Sequence, residues 1–324
     1  MINTIQSSNV RPLVSFVLFA YNQEDYIRDA VEGALSQTYE PLEIILSDDC
    51  SSDRTYCIMQ ELVEKYKGPH TLVLRRNEKN MGIASHVNFL VTSAKGKYFV
   101  AAAGDDISNP DRTLLTVENL EKMSELHFCD TAYIQIDSSG EQISERKVLY
   151  PNDQIITLRD LMENRLKGLI GATRTYRLST LKFFPPLNDH CPTEDSTFVF
   201  RCLLCGDAQY ILDVGVRRRL HELNLSGRES INKMNLDAIS AQYIKDADYL
   251  TSQRNIPKDI KNDIEDWIDR TAYERRIRQL EANGKLIVRS EIILLFRQYS
   301  TFNLFAINAA RLIKASIRNW QKNE

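Results

Sequence analysis

The chain has 324 residues, of which 43% are apolar and 26% charged, enough to bury a large core and to exclude wholesale disorder. A formal net charge of −3 excludes a nucleic-acid binder that works through bulk positive charge. Only 12 glycines and 9 prolines are present, which excludes collagen-like and low-complexity sequences.

Leu13–Ala20 is an apolar run of strand length. A helix follows, with Tyr26, Ile27, Ala30, Val31, Ala34 and Leu35 on one face. Leu42–Ser47 is a second strand, ending at Asp48-Asp49. Ile58, Leu62 and Tyr66 mark a second helix, Thr71–Arg75 a third strand, Ser85–Ala94 a third helix and Lys97–Ala102 a fourth strand. Alternation of this kind predicts an α/β fold with a mainly parallel central sheet flanked by helices. Right-handed crossovers then bring the C-terminal ends of the strands to one edge, where open sheets of this class bind ligands.

The alternation stops near residue 125. Thr131–Ile136, Ser138-Ser-Gly140 and Gln142–Leu149 read as a hairpin. Ile155–Leu166 reads as a helix capped by Thr157, Thr193–Leu204 as another, and Gly168–Tyr176 and Gln209–Val216 as short strands. A boundary is expected at Ser226-Gly227, giving domains 1–226 and 227–324. The second is read as a helical extension with helices near 233–252, 258–282, 286–299 and 303–320. Residues 285–324 hold seven Lys/Arg against two Asp/Glu on an apolar background. They read as a helical domain packed on the core or as a basic, amphipathic surface for an anionic membrane. No run of 18 apolar residues predicts a transmembrane helix, and no secretory signal is expected from residues 1–11. The six cysteines are therefore expected as free thiols. Cys202-Leu-Leu-Cys205 lies on an apolar helix and reads as buried thiols rather than half a zinc site.

Chemistry concentrates after the strands. The first ends at Ala20-Tyr21-Asn22, the second at Asp48-Asp49 with Asp53 beyond it, and the fourth leads into Gly104-Asp105-Asp106. Adjacent carboxylates repel unless a cation or donors compensate, and their oxygens suit Mg²⁺ or Mn²⁺ bridging substrate phosphates. Turn formation and helix capping are the alternative, and Asp53 is expected to be such a cap.

Val14-Ser-Phe-Val-Leu-Phe-Ala-Tyr-Asn22, Ser36-Gln-Thr-Tyr39, Glu43–Asp53, Asn80-Met-Gly82, Gly104-Asp-Asp106 and Pro110-Asp-Arg112 follow one another in order. Together they resemble the family 2 glycosyltransferases over roughly residues 12–225, with the nucleotide-sugar fold called GT-A. The resemblance implies that Ala20 and Tyr21 line the nucleotide, the Tyr21 ring lying along the base. It implies that Asp49 accepts the pyrimidine imide N–H and that Gly82 lies in the loop over the nucleotide. Asp105 would face the ribose. Asp106 would hold a divalent cation, Mn or Mg, that bridges the diphosphate, although Ala103-Gly104-Asp105-Asp106 is not a literal Asp-x-Asp. In Thr193-Glu194-Asp195, the residues alone read as a capped helix start. The resemblance makes Asp195 the catalytic base. His221, in Arg217–Ser226, would be a metal ligand or a donor to the diphosphate, whereas His86 reads as an ordinary helix residue and Cys191 is given no role.

The implied reaction is inverting transfer from a nucleotide sugar, UDP or dTDP favoured, to an acceptor hydroxyl. The implied setting is O-antigen or capsule synthesis on a saccharide or lipid-linked saccharide. A cytoplasmic location follows, with peripheral contact at the inner face of the cytoplasmic membrane through 285–324. A catalytically inactive nucleotide-sugar-binding scaffold and a nucleotidyltransferase are the competing readings. The second wants a Gly-rich basic loop after the first strand, where Gln23-Glu24-Asp25 is acidic. A dinucleotide-binding dehydrogenase wants G-x-G-x-x-G there, which is absent.

Overall fold

β1 (Val14–Ala20), β2 (Leu42–Asp48) and β4 (Tyr98–Ala103) are apolar nearly throughout and buried on both faces, the pattern of strands inside a parallel sheet. They alternate with α1 (Ile27–Leu35), α2 (Thr55–Lys65), β3 (Thr71–Arg76) and α3 (Gly82–Ser93). The arrangement comes from a computed structural model, which describes residues 11–166, 168–222, 224 and 234–282. The expected helices at 286–299 and 303–320, the basic tail 285–324 and the boundary at Ser226-Gly227 lie outside the described residues. The chain divides into two compact units, Met1–His221 and Glu222–Glu324.

In the first unit the strands run β3-β2-β1-β4, all parallel. Ala20 lies opposite Asp48, and Phe19 opposite Ala103. The order reverses between β1 and β4, so a switch point opens at their C-terminal ends. Successive β1 residues serve opposite layers. Phe16 and Leu18 pack with Ile27, Val31 and Ala34 of α1, while Val17 packs with Ala84, Val87 and Leu90 of α3.

Beyond β4 come β5 (Ile107–Ser108), α4 (Arg112–Lys122), β6 (Leu126–Ile136), β7 (Gln154–Ile156), α5 (Leu158–Met162), a 3₁₀ turn (Gly171–Thr173), β8 (Thr175–Arg177), α6 (Leu178–Phe183), α7 (Asp195–Cys205) and β9 (Asp207–Arg219). They continue the sheet as β4-β8-β6-β9-β5, with β7 also on β9. β8 is antiparallel to both neighbours, whereas β6 and β9 are parallel. Between Thr131 and Tyr133 the β6–β9 register shifts, because Thr131 faces Ile211, Ala132 faces Val214 and Tyr133 faces Val216.

Three expectations need correcting. Ile155 and Ile156 belong to a strand on β9, not to a helix. The helix starts only after Thr157, whose side chain forms a capping box with Asp160, and it ends at Met162. Of the expected strand over Gly168–Tyr176 only Thr175 and Tyr176 are strand, in β8 (Thr175–Arg177); Gly171–Thr173 is a 3₁₀ turn and the rest is irregular. The second hairpin arm meets β6 only through bridges at Tyr133–Lys147 and Ile136–Gln142. Cys202 is buried, Cys205 is half-buried at the end of α7, and neither is in a disulfide.

In the second unit, α8 (Leu236–Gln253) is capped by Asn235, whose Oδ1 accepts the Ala238 N–H at 3.2 Å. It packs on α9 (Lys258–Ala282) through buried Tyr243 and Trp267, ring centroids 5.3 Å apart. No described helix is long and apolar enough to cross a membrane.

Candidate active site at the switch point

The β2–α2 turn folds around its own acids. Asp48 is buried, accepts both the N–H and the hydroxyl of Ser51, and pairs with Arg76 Nε at 3.2 Å. It is consumed by the fold. Asn22 and Cys50 sit at φ of 52° and 62°, a strained region for side chains other than glycine. Ser51 Oγ takes the Asn22 N–H at 2.8 Å and Asn22 Oδ1 takes the Ser52 N–H at 2.9 Å, which locks the two turns together. Asp53 accepts the N–H groups of Thr55 and, from the other turn, Glu24, but the N-cap of α2 is Arg54, so Asp53 is a turn acceptor one residue upstream rather than the cap expected of it.

Asp49 faces the other way. Its N–H donates to Ala20 O at 2.9 Å, which joins it to β1. Its Oδ1 accepts from Asn77 Nδ2 at 2.6 Å and from Met81 N–H at 2.9 Å, and its Oδ2 from Gly82 N–H at 3.0 Å. Gly82 has φ +75° with nothing within 4 Å of a built Cβ, so backbone conformation rather than crowding calls for glycine there. Behind Asn77 a polar chain runs into the core. Arg75 binds Asn77 Oδ1 and donates to Ser47 Oγ at 2.5 Å, and Ser47 Oγ lies 2.6 Å from His86 Nε2. Burial lowers the His86 imidazole to about 4. Tyr21, just after β1, is 47% exposed, while Ala20 is buried.

The turn after β4 packs on the same edge. A Cβ on Gly104 would lie 2.7 Å from Ala20 Cβ, so only glycine lets the two strand ends meet here. Asp106 Oδ1 accepts the Arg219 N–H at 2.8 Å. Burial, and then the neighbouring Asp105, push the Asp106 carboxyl up to about 8. Asp105 Oδ2 lies 3.0 Å from His221 Nε2, and the His221 ring stacks on Tyr26 at 4.5 Å. His221 thus meets Asp105 and not Asp106, the acid with which the sequence grouped it. Arg219 is buried. It donates to the carbonyls of Asp105, Asp137 and Ser138 and pairs with Asp29 Oδ2 at 2.7 Å. Of the three consecutive arginines the last is therefore a strut, and Arg217 donates to Gly140 O. Arg218 favours the charged form of Asp106 electrostatically.

Among the described residues no group of three His, Cys, Asp or Glu side chains could hold a metal alone. The donor chemistry still fits a hard cation. Two adjacent carboxyls, one with its charge opposed by burial and by the other, match an ion that takes its remaining ligands from a diphosphate.

Asp195 opens α7. Its Oδ1 accepts the Ser196 N–H at 2.6 Å, its Oδ2 lies 4.0 Å from Arg174 Nη1, and the side chain is 37% exposed. Burial, followed by the charge of Asp195, pushes the adjacent Glu194 up to about 7. Arg174 is tied by its backbone to β4, since its carbonyl accepts the Ala101 N–H at 3.2 Å. Asp195 therefore approaches β4, the strand that leads to Asp105-Asp106, through one intervening arginine. Asn77 and Arg174 carry no local signal. Tyr26 is expected only on an apolar helix face and Arg217–Arg219 only as phosphate partners, whereas Tyr26 stacks on His221 and Arg219 bonds Asp29 and three carbonyls; each acts through contacts between distant segments.

Residues 15–183 match the family model for Glycosyl transferase family 2. The hyaluronan synthase of Pasteurella multocida is 27% identical over 287 residues, which cover 79% of this chain and 28% of that protein. The chain thus spans well under half the length of this relative. Among solved structures, S. aureus TarS 1-349 in complex with UDP-GlcNAc has a TM-score of 0.61 at 18% identity, covering 93% of this chain and 81% of that one. The mannosyltransferase PcManGT from Pyrobaculum calidifontis, in complex with GDP-Man and Mn²⁺, has a TM-score of 0.55 at 14% identity, covering 98% and 89%.

Proposed function

The chain belongs to glycosyl transferase family 2 and has the GT-A fold; on that premise we propose that it transfers a sugar, with inversion, from a UDP- or dTDP-sugar to an acceptor hydroxyl. The saccharide acceptor would belong to a cell-surface polysaccharide, in keeping with the hyaluronan synthase likeness. O-antigen or capsule synthesis on a lipid-linked saccharide is the setting we favour. Membrane contact through 285–324 belongs to the same reading and lies outside the described residues.

Asp49 holds the 77–82 loop with three hydrogen bonds. A carboxylate has about four acceptor positions, which leaves room for a pyrimidine imide N–H, the group that uracil and thymine share. The exposed Tyr21 ring is available to lie along the base. Asp106 would hold a divalent cation together with diphosphate oxygens, and that ion would neutralise the charge growing on the leaving group. His221, oriented by Asp105 and Tyr26, would close the diphosphate end. Asp195 would accept the proton of the attacking hydroxyl as the sugar carbon becomes oxocarbenium-like. One displacement from the far face inverts the anomeric centre.

The Asp105-Asp106 turn carries this reading: a half-buried acid pair at the switch point, braced by a buried arginine whose guanidinium goes to backbone carbonyls and Asp29. The test is nucleoside diphosphate release from UDP-, dTDP- and GDP-sugars with Mn²⁺, with and without EDTA, for the wild type and Asp195→Asn. Release that EDTA stops and Asp195→Asn suppresses is expected. A binding scaffold would show neither effect.

A further inference from the structure

A buried ion pair stands behind Asp195 on elements that do not belong to its helix. The Arg174 guanidinium is 3% exposed, and its Nε donates to Asp130 Oδ2 at 3.1 Å. Asp130, on β6, is 1% exposed and also accepts the Thr131 N–H at 2.9 Å and the Thr173 hydroxyl. The other end of the guanidinium reaches α7. Nη1 donates to the Asp195 carbonyl at 3.4 Å and lies 4.0 Å from its Oδ2. A second buried arginine holds the Arg174 backbone, since Arg112 Nη2 donates to the Ala101 carbonyl at 2.7 Å and to the Arg174 carbonyl at 3.2 Å. Gly171 forms the remaining wall, because a Cβ there would lie 2.8 Å from Asp195 Cβ and 3.0 Å from Oδ2.

Burying two charges is costly unless geometry and further hydrogen bonds offset the desolvation, and hydrophobic packing could join β6 to β8 without them. What an apolar pair could not do is present a fixed planar cation to α7. We propose that Arg174 is the positioning residue for Asp195. Asp130 fixes the guanidinium, Arg112 fixes its backbone to β4, and the missing Cβ of Gly171 lets the Asp195 side chain lie beside it. The distance between the donor side of the site and the proposed base is then set by two buried arginines rather than by the loop before α7. This inference rests on the reading of Asp195 as the base.

Arg174→Lys keeps a charge that can pair with Asp130 but cannot span to α7. Gly171→Ala displaces Asp195 without touching the ion pair. Both are compared with Asp195→Asn, using whichever UDP-, dTDP- or GDP-sugar raises Tm most in the presence of Mn²⁺. The readouts are kcat and KM for nucleoside diphosphate release, corrected for the fraction of chains that bind donor. Each variant is expected to lose tenfold or more in kcat while KM and the donor-induced Tm shift stay within about twofold and a degree of wild type. If Arg174→Lys does not fold, Gly171→Ala decides. Wild-type kcat in both variants, with Asp195→Asn inactive, overturns the positioning role and leaves the base intact. Full activity in Asp195→Asn overturns the base reading itself, and this inference with it. A loss that appears as raised KM or a lost Tm shift overturns it in favour of a general structural role.

Discussion

Asp49 and Gly82 are 33 residues apart in sequence, yet the N–H at the start of α3 donates to the Asp49 carboxylate at 3.0 Å. The acid after β2 is therefore both a wall of the proposed base pocket and the clasp of the loop that covers it. Asp49→Ala removes a shared acceptor from Asn77, Met81 and Gly82 together. A loss of about 1–3 kcal/mol is expected, mainly from the buried Asn77 amide left without its acceptor, since the exposed Met81 N–H can turn to water and the Gly82 N–H keeps Asn80 Oδ1; weaker donor binding should accompany it, measured by urea unfolding and by titration. Gly82→Ala should cost about 1–2 kcal/mol through its positive φ alone.

Asp106→Asn should separate function from stability. An amide oxygen can still accept the Arg219 N–H, and the poorly compensated charge is gone. The unfolded acid ionises near pH 4, whereas the folded one holds its proton up to about 8. The folded wild type therefore binds the extra proton in that window, and its stability falls as pH rises through it. The difference in Tm between Asp106→Asn and wild type should grow in favour of the variant from pH 5 to pH 8, while turnover drops roughly 100-fold or more. A variant that is less stable across this range would contradict the assignment.

Asp195→Asn should lower kcat by about 10²–10⁴, the range for loss of a general base, with donor KM little changed. Steady-state kinetics of nucleoside diphosphate release measures it.

His86 titrates with the opposite sign. Burial holds its folded pKa at about 4, against 6.5 in the unfolded chain. Between those values the unfolded state binds the additional proton, so this contribution to stability is complete above pH 6.5 and lost as pH falls toward 4. His86→Gln should flatten that part of the profile. Because Asp106 slopes the other way over the same range, the comparison is the difference between variant and wild-type Tm at each pH.

The sheet's first half is legible in the sequence because β1, β2 and β4 are continuous apolar runs and α1 and α3 are amphipathic. The edge where Asp49 and Asp105 stand is legible too, since parallel strands joined by right-handed crossovers end on one side. The second half was harder. β5 is two residues long and α5 five, too short for periodicity to register, and Ile155-Ile156 continue without a break into a helix start. Roles that depend on pairing across the fold were invisible. Nothing local says that His221 meets Asp105, that Arg219 is a strut while Arg217 donates to a loop carbonyl, or that Arg174 stands between Asp130 and Asp195.

The register shift between β6 and β9 has a consequence for how this protein can vary. Leu212, Asp213 and Gly215 are surplus on β9, and they decide that Arg219 arrives opposite Ile136 with its guanidinium inward. Removing one of them would reverse the facing of every downstream side chain and withdraw the brace beneath Asp105 and Asp106. Over this stretch the chain should accept changes of letter far more readily than changes of length, and a single-codon deletion at 212–215 would disable it more thoroughly than most substitutions in the pocket.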